Sequence, residues 1–179
     1  MGATSSSLKT PASWHVLSYG VLLGSQFYQS FIGGTIAFKA LSRPAFSQLQ
    51  QNIFPVYFGL QTLLPIATIL TTPGIHSFAE VFQYPSRLRT GGLLLTAVSS
   101  ALNWFVIGPW TTGIMRERKV QETKDGKKYY DEGPKSEAME KLNKRFGIAH
   151  GVSSLVNMVG LIGTVGYGLV IADRMVYRP

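Results

Sequence analysis

FGIAHGVSSLVNMVGLIGTVGYGLVIA, residues 146–172, runs for 27 positions without a Lys, Arg, Asp or Glu. A hydrocarbon core about 30 Å thick is crossed by about 20 helical residues, so this stretch reads as a membrane span. Three further runs, 16–38, 53–72 and 91–108, share the lack of charge. The four make up about half of the 179-residue chain, and every charged side chain lies outside them. A soluble domain spreads roughly 25% charged residues over its helix faces. The sequence therefore predicts an all-α polytopic membrane protein, a four-transmembrane-helix bundle.

Working outward, residues 1–13 read as a mobile Ser/Thr/Pro-containing N-terminal tail and 14–179 as the transmembrane domain. Helix one is expected from Trp14 to Leu41, with Arg43-Pro44 as its stop. AFSQLQQN, residues 45–52, reads as a short interfacial segment before a second helix that starts near Phe54-Pro55 and is kinked at Pro65. Helix three is expected from Arg87 to Pro109, running on past the membrane as an exposed helix. The stretch 116–145 holds ten Lys/Arg and seven Asp/Glu and reads as a solvated charged connection. Helix four then starts in water near Ser136. The first apolar run is too long for the core of a signal peptide. The absence of cysteine excludes disulfides, thiolate metal sites and a cysteine nucleophile.

Orientation follows the Lys/Arg bias. Lys39, Arg43 and the ten basic residues of 116–145 lie on one side, against Lys9, Arg87, Arg89, Arg174 and Arg178 on the other. That bias places the 116–145 connection in the cytosol and both termini opposite, in an endomembrane or organelle membrane. MGATSS at the N-terminus fits the myristoylation pattern at Gly2, a cytosolic modification that pulls the other way.

At 100° per residue, each span carries one polar, small-residue face. Helix one presents Ser18, Gln26, Gln29, Ser30 and Gly33; helix two Tyr57, Gln61, Pro65, Thr68 and Thr72; helix three Gly92, Thr96, Ser99, Ser100 and Asn103. On helix four, His150, Ser154 and Asn157 fall within a 60° arc beside Gly147 and Gly151. Lipid tails cannot satisfy amides or hydroxyls, so these faces are expected to turn inward and form a partly polar core. Gln26, Gln61, Asn103 and Asn157 are expected to face one another, with His150 bonded toward Asn103 and Gly147 and Gly151 allowing close helix approach.

GSQFYQSFIGGTIAFKALSRPAFSQLQQNIFPVYF (24–58), LNWFVIGPWTTGIM (102–115) and the FGIAHGVSSLVN that opens the last span resemble, in order and spacing, the transmembrane protein 205-like family. The chain departs from that pattern at Ser42, where proline is usual, and at Trp110, where arginine occurs. The resemblance implies a four-helix integral membrane protein without enzymatic activity. It also gathers Arg43, Asn103, Thr111, Thr112, His150, Ser153 and Ser154 toward the cytosolic side as a candidate mouth, where Arg43 and the two threonines would rim a site for a phosphate headgroup.

No acidic residue lies in any span to orient His150 for Ser153 or Ser154, so no hydrolase triad is expected. GLIGTVGYG lacks the lysine and the strand context of a phosphate-binding loop. The basic residues of 116–145 are nearly matched by acids, which argues for lipid headgroups and against nucleic acid as the electrostatic partner. Two functional readings stay open. One is a membrane scaffold or trafficking-type factor with a polar site and a protein partner at its cytosolic end; the other is a small-solute or lipid pathway, which with so few helices implies a homo-oligomer. A third, haem or metal binding, would use His150. No cofactor is otherwise expected.

Overall fold

The computed structural model describes residues 9–72, 77–81, 83 and 86–177. Gly2 and His76 lie outside them. Pro11 opens α1 (Pro11–Phe27) at a first-turn position where its missing N–H costs nothing. The chain stays right-handed through a π turn (Tyr28–Gly33) into α2 (Gly34–Ala40), so these elements form one rod. It ends where Leu41 and Ser42 adopt extended backbone. α3 (Arg43–Leu70) follows directly, with Pro44 in its first turn.

The expected interfacial segment 45–52 does not exist as a separate element, because α3 begins at Arg43 and runs through it. Its polar side chains bond their own helix: Gln51 Nε2 donates to Ser47 O at 3.3 Å and Asn52 Nδ2 to Gln48 O at 2.8 Å. Pro55 and Pro65 each withdraw only one backbone donor, and the 28-residue helix continues through both.

After the short α4 (Phe78–Val81), α5 (Ser86–Leu102) passes through a second π turn (Asn103–Ile107) into α6 (Gly108–Asp125). The turn lies just before Pro109, which has no N–H to offer. Gly108 donates instead to the carbonyl of Asn103, five residues back. A Cβ on Gly108 would stand 2.7 Å from that oxygen, which is why glycine occupies the position. The first π turn repeats the device: a Cβ on Gly34 would meet Gln29 O at 3.2 Å.

α6 closes at Gly126 in the left-handed region (φ 59°), a conformation glycine adopts without Cβ strain. α7 (Glu137–Tyr177) starts at Ser136, whose Oγ accepts the Met139 N–H at 3.1 Å. It then runs unbroken for 41 residues.

Residues 116–145, expected as a solvated charged connection between two helices that extend beyond the membrane, form the end of a helical hairpin whose arms extend as expected but whose inner side chains pack together. Met139 within this stretch and Ile114 just before it are buried. The Arg118 guanidinium lies between the rings of Tyr129 (3.7 Å) and Phe146 (4.6 Å), and its burial pulls its pKa down from the usual value. Glu122 accepts from Lys119 Nζ at 2.8 Å and from the Tyr129 N–H at 3.2 Å. Arg145 pairs with Glu117 at 2.8 Å across the two helices.

Among the described residues, three helices, Arg43–Leu70, Thr90–Asp125 and Glu137–Asp173, are long and apolar enough to cross a membrane, where the sequence predicted four spans. The remaining predicted span, 16–38, falls on the rod that a π turn divides, and α1 alone has 17 residues. Val16, Leu63, Val98, Leu155 and Leu169 project outward from the four rods and are exposed, a surface suited to lipid tails.

The tightest crossing joins α5 to α7. A Cβ on Gly163 would lie 2.5 Å from Gly92 O and 3.0 Å from Thr96 Oγ1, and one on Gly92 would collide with Gly163 O. Gly160 lies beside Thr96 and Ser99 on the same seam. Gly147 and Gly151, the expected points of approach, meet nothing within 4 Å even with a Cβ added. Replacing Gly163 by Ala should therefore force the backbones apart at an overpacking cost of about 1–3 kcal/mol. Gly151→Ala should leave stability unchanged. Thermal unfolding of the two variants in detergent measures the difference, and equal midpoints would contradict this helix pairing.

Candidate polar site in the bundle

The inner faces predicted for the first three rods are inner faces in the structure. Gln26, Gln61 and Asn103 are 1%, 0% and 0% exposed, and Tyr57, Thr68, Thr72, Thr96, Ser99 and Ser100 are buried. Asn157 joins three rods. Tyr57 donates its hydroxyl proton to Asn157 Oδ1 at 2.9 Å, and Asn157 Nδ2 donates to Ser30 Oγ at 3.0 Å. One turn along α3, Gln61 Nε2 donates to Ser25 Oγ at 2.7 Å, while Ser25 bonds back to Val21 O. Gln29 Nε2 reaches Gln50 Oε1 at 3.4 Å.

His150 is not part of this network. It is exposed and stacks on Phe146 with ring centroids 5.8 Å apart. Ser154 is exposed as well and donates to His150 O in its own helix. Asn103 Nδ2 bonds instead to the backbone carbonyl of Ser153 at 3.2 Å. The buried face of α7 runs through Ala149, Gly160, Gly163, Thr164 and Tyr167, rotated roughly 90° from the stripe centred on His150. Asn157 lies at the edge common to both, and small side chains took the close interface in preference to the imidazole.

At the expected mouth, the Arg43 guanidinium covers the Phe38 ring at 3.8 Å, and Thr111 donates to Ile107 O of its own helix. No bond between Arg43 and Thr111 or Thr112 occurs among the described residues. Nor does any group of three His, Cys, Asp or Glu side chains there have the arrangement to hold a metal ion.

His15, just before the uncharged run of the first helix, is the histidine that the structure places in the bundle interior. It is buried, with Nδ1 2.8 Å from Thr68 O and Nε2 2.8 Å from the Tyr167 hydroxyl. A carbonyl only accepts, so Nδ1 carries the proton and Nε2 accepts from Tyr167. Tyr19 donates to Thr164 O at 3.3 Å one turn further in. The signal was available: His15, Tyr19, Leu22 and Gln26 follow the i, i+4, i+7, i+11 spacing of one helix face.

Long apolar helices, outward hydrophobic faces and a hydrogen-bonded interior make the chain a multi-pass integral membrane protein. Residues 17–120 match the domain of unknown function DUF4149, and the chain belongs to that family. The match covers the first three rods and stops short of α7. The chain is also 30% identical over 164 residues to the "Xanthocillin biosynthesis cluster protein D" of Aspergillus fumigatus, an alignment covering 90% of this chain and 89% of that protein. No solved structure matches.

The network separates two kinds of buried amide. Asn157→Leu removes two interhelical bonds and strands Tyr57, and should cost about 1–4 kcal/mol at about 0.6–2 kcal/mol per bond. Gln26 has no hydrogen-bond partner on either amide atom. Its replacement by Leu removes an unmet desolvation cost and should leave the unfolding midpoint unchanged or raised. Thermal unfolding of the two variants side by side checks this ordering.

Proposed function

We propose that the protein is a non-enzymatic membrane scaffold or trafficking-type factor of the transmembrane protein 205-like kind, whose partner-facing part is the α6–α7 hairpin. The observation that carries this reading is that 116–145 is folded onto itself and its flanks, with Arg118 held between the rings of Tyr129 and Phe146. A mere linker needs no such organisation. Its surface includes a groove lined by Arg116, Glu117, Val120, Gln121, Lys124 and Leu142, with Val120 exposed among charges. A protein partner fits that mixed apolar and charged surface, and anionic headgroups would add about 1 kcal/mol per nearby basic residue. In this reading the α1–α2 rod is the fourth pass, the hairpin is cytosolic, both termini lie opposite, and the membrane is an endomembrane or that of an organelle.

A second reading, a small-solute or lipid pathway in a homo-oligomer, draws on a different observation. Gln26, Gln61 and Asn103 keep unpaired amide atoms inside the bundle. A relative named for a biosynthesis cluster fits a helper to small-molecule chemistry in either form.

Two measurements test the first reading. A cysteine placed at Lys127 should be shielded from an impermeant label applied outside sealed cells or organelles; labelling there would reverse the topology. The double variant Val120→Glu, Leu142→Glu should keep the fold and lose the proteins that crosslink to the wild-type hairpin. Unchanged crosslinking would remove the hairpin as the partner surface.

A further inference from the structure

The buried polar side chains form consecutive levels along the bundle. Asn103 meets Ser153; Tyr57 and Ser30 meet Asn157; Gln61 meets Ser25, with Gln26 beside it. Thr96 lies 2.8 Å from Gly160 O and 3.0 Å from the Thr164 hydroxyl, and His15 joins Thr68 to Tyr167. From Ser153 to Tyr167 this seam covers about 21 Å of α7, some two thirds of a hydrocarbon core about 30 Å thick.

The bonding along the seam is uneven. Gln26 lacks partners on Oε1 and Nε2, Gln61 on Oε1 and Asn103 on Oδ1, although all three side chains are buried. Tyr57, Ser30, Asn157, Ser25, Thr96, Thr164, His15, Thr68 and Tyr167 are bonded. A buried amide left unmet costs about 1–3 kcal/mol, and an apolar side chain would avoid that cost. The Gln61–Ser25 bond joins Gln61 to the residue beside Gln26 in the chain, so the two carbonyl oxygens and the one amide N–H₂ left without partners belong to the same stretch of the α1–α3 contact. That set complements a molecule rich in hydroxyl or amide hydrogens that can also accept. No Asp, Glu, Lys or Arg side chain belongs to the seam, and a charged guest would lose its hydration without a countercharge.

We propose that the Gln26–Gln61 level binds a small uncharged solute of the polyol or amide class, with Asn103 as the next station toward the hairpin. The solute donates to Gln26 Oε1 and Gln61 Oε1 and accepts from Gln26 Nε2. The proposal rests on the pathway reading for its purpose, and on the unpaired amides for its chemistry.

The test uses the full chain in lipid nanodiscs with glycerol and urea as probes, read by saturation-transfer NMR. Wild type and Gly151→Ala should transfer saturation to both probes. Gln26→Leu, Gln26→Met and Gln61→Leu should reduce the transfer roughly tenfold, the equivalent of one buried hydrogen bond, while thermal unfolding shows each variant folded. No transfer in the wild type, or undiminished transfer in all three variants, would overturn the site. So would stabilisation of the wild type by K⁺ that Gln26→Leu loses, without transfer to either probe, because the amide oxygens would then hold a cation. Vesicle swelling separates the site from the pathway. Transfer that holds while protein vesicles swell in glycerol no faster than protein-free ones supports the site and removes the pathway.

Discussion

One amide holds the middle of this molecule together. Asn157 accepts a hydrogen bond from Tyr57 and donates one to Ser30, tying α7 to α3 and to the first π turn in a medium that offers little competing water. In hydrocarbon, helices gain nothing from hiding apolar surface, since lipid covers it equally well. Close backbone approach and interhelical hydrogen bonds therefore set the arrangement. The Gly92–Gly163 contact supplies the first and Asn157 the second, at different depths of the same long helix.

The two π turns belong to this economy. Each inserts an extra residue into a helix and shifts the face beyond it, and each ends at a glycine facing the carbonyl five residues back. In α5 the turn begins at Asn103, which is fully buried there. In the first rod it holds Gln29 and Ser30, both bonded to other helices. A helix of uniform pitch carries one straight stripe. These rods use the inserted residue to present polar groups where the neighbouring helix lies.

Much of this was legible from the sequence, for reasons that also explain what was not. The uncharged runs announced the helices, and the 100° periodicity placed Gln26, Gln61, Thr96 and Asn103 inside because lipid enforces the distinction between polar and apolar faces. Phase failed on α7, where His150, Ser154 and Asn157 form as good an arc as Ser153, Gly160 and Thr164. Only the contact with Gly92, a long-range fact, chooses between them. The start of α3 was missed because a polar segment in a helix and a polar segment at an interface have the same composition. The hairpin core was missed because Arg118 and Glu122 look like solvated charges until Tyr129 folds back over them. His15 lies one residue outside the uncharged run 16–38, so the run does not mark it as interior, although its spacing from Gln26 is regular.

The unbroken course of α7 has a mechanical meaning. Its N-terminal turns belong to the hairpin, its middle carries Asn157, and its far end carries Tyr167 against His15. A helix of 41 residues has no joint at which to dissipate a displacement, and it measures about 60 Å from end to end. Bonds at Ser153, Asn157 and Tyr167 and the close contact at Gly163 hold it at four heights, so a rigid shift of this helix would strain all four contacts at once and none of them alone.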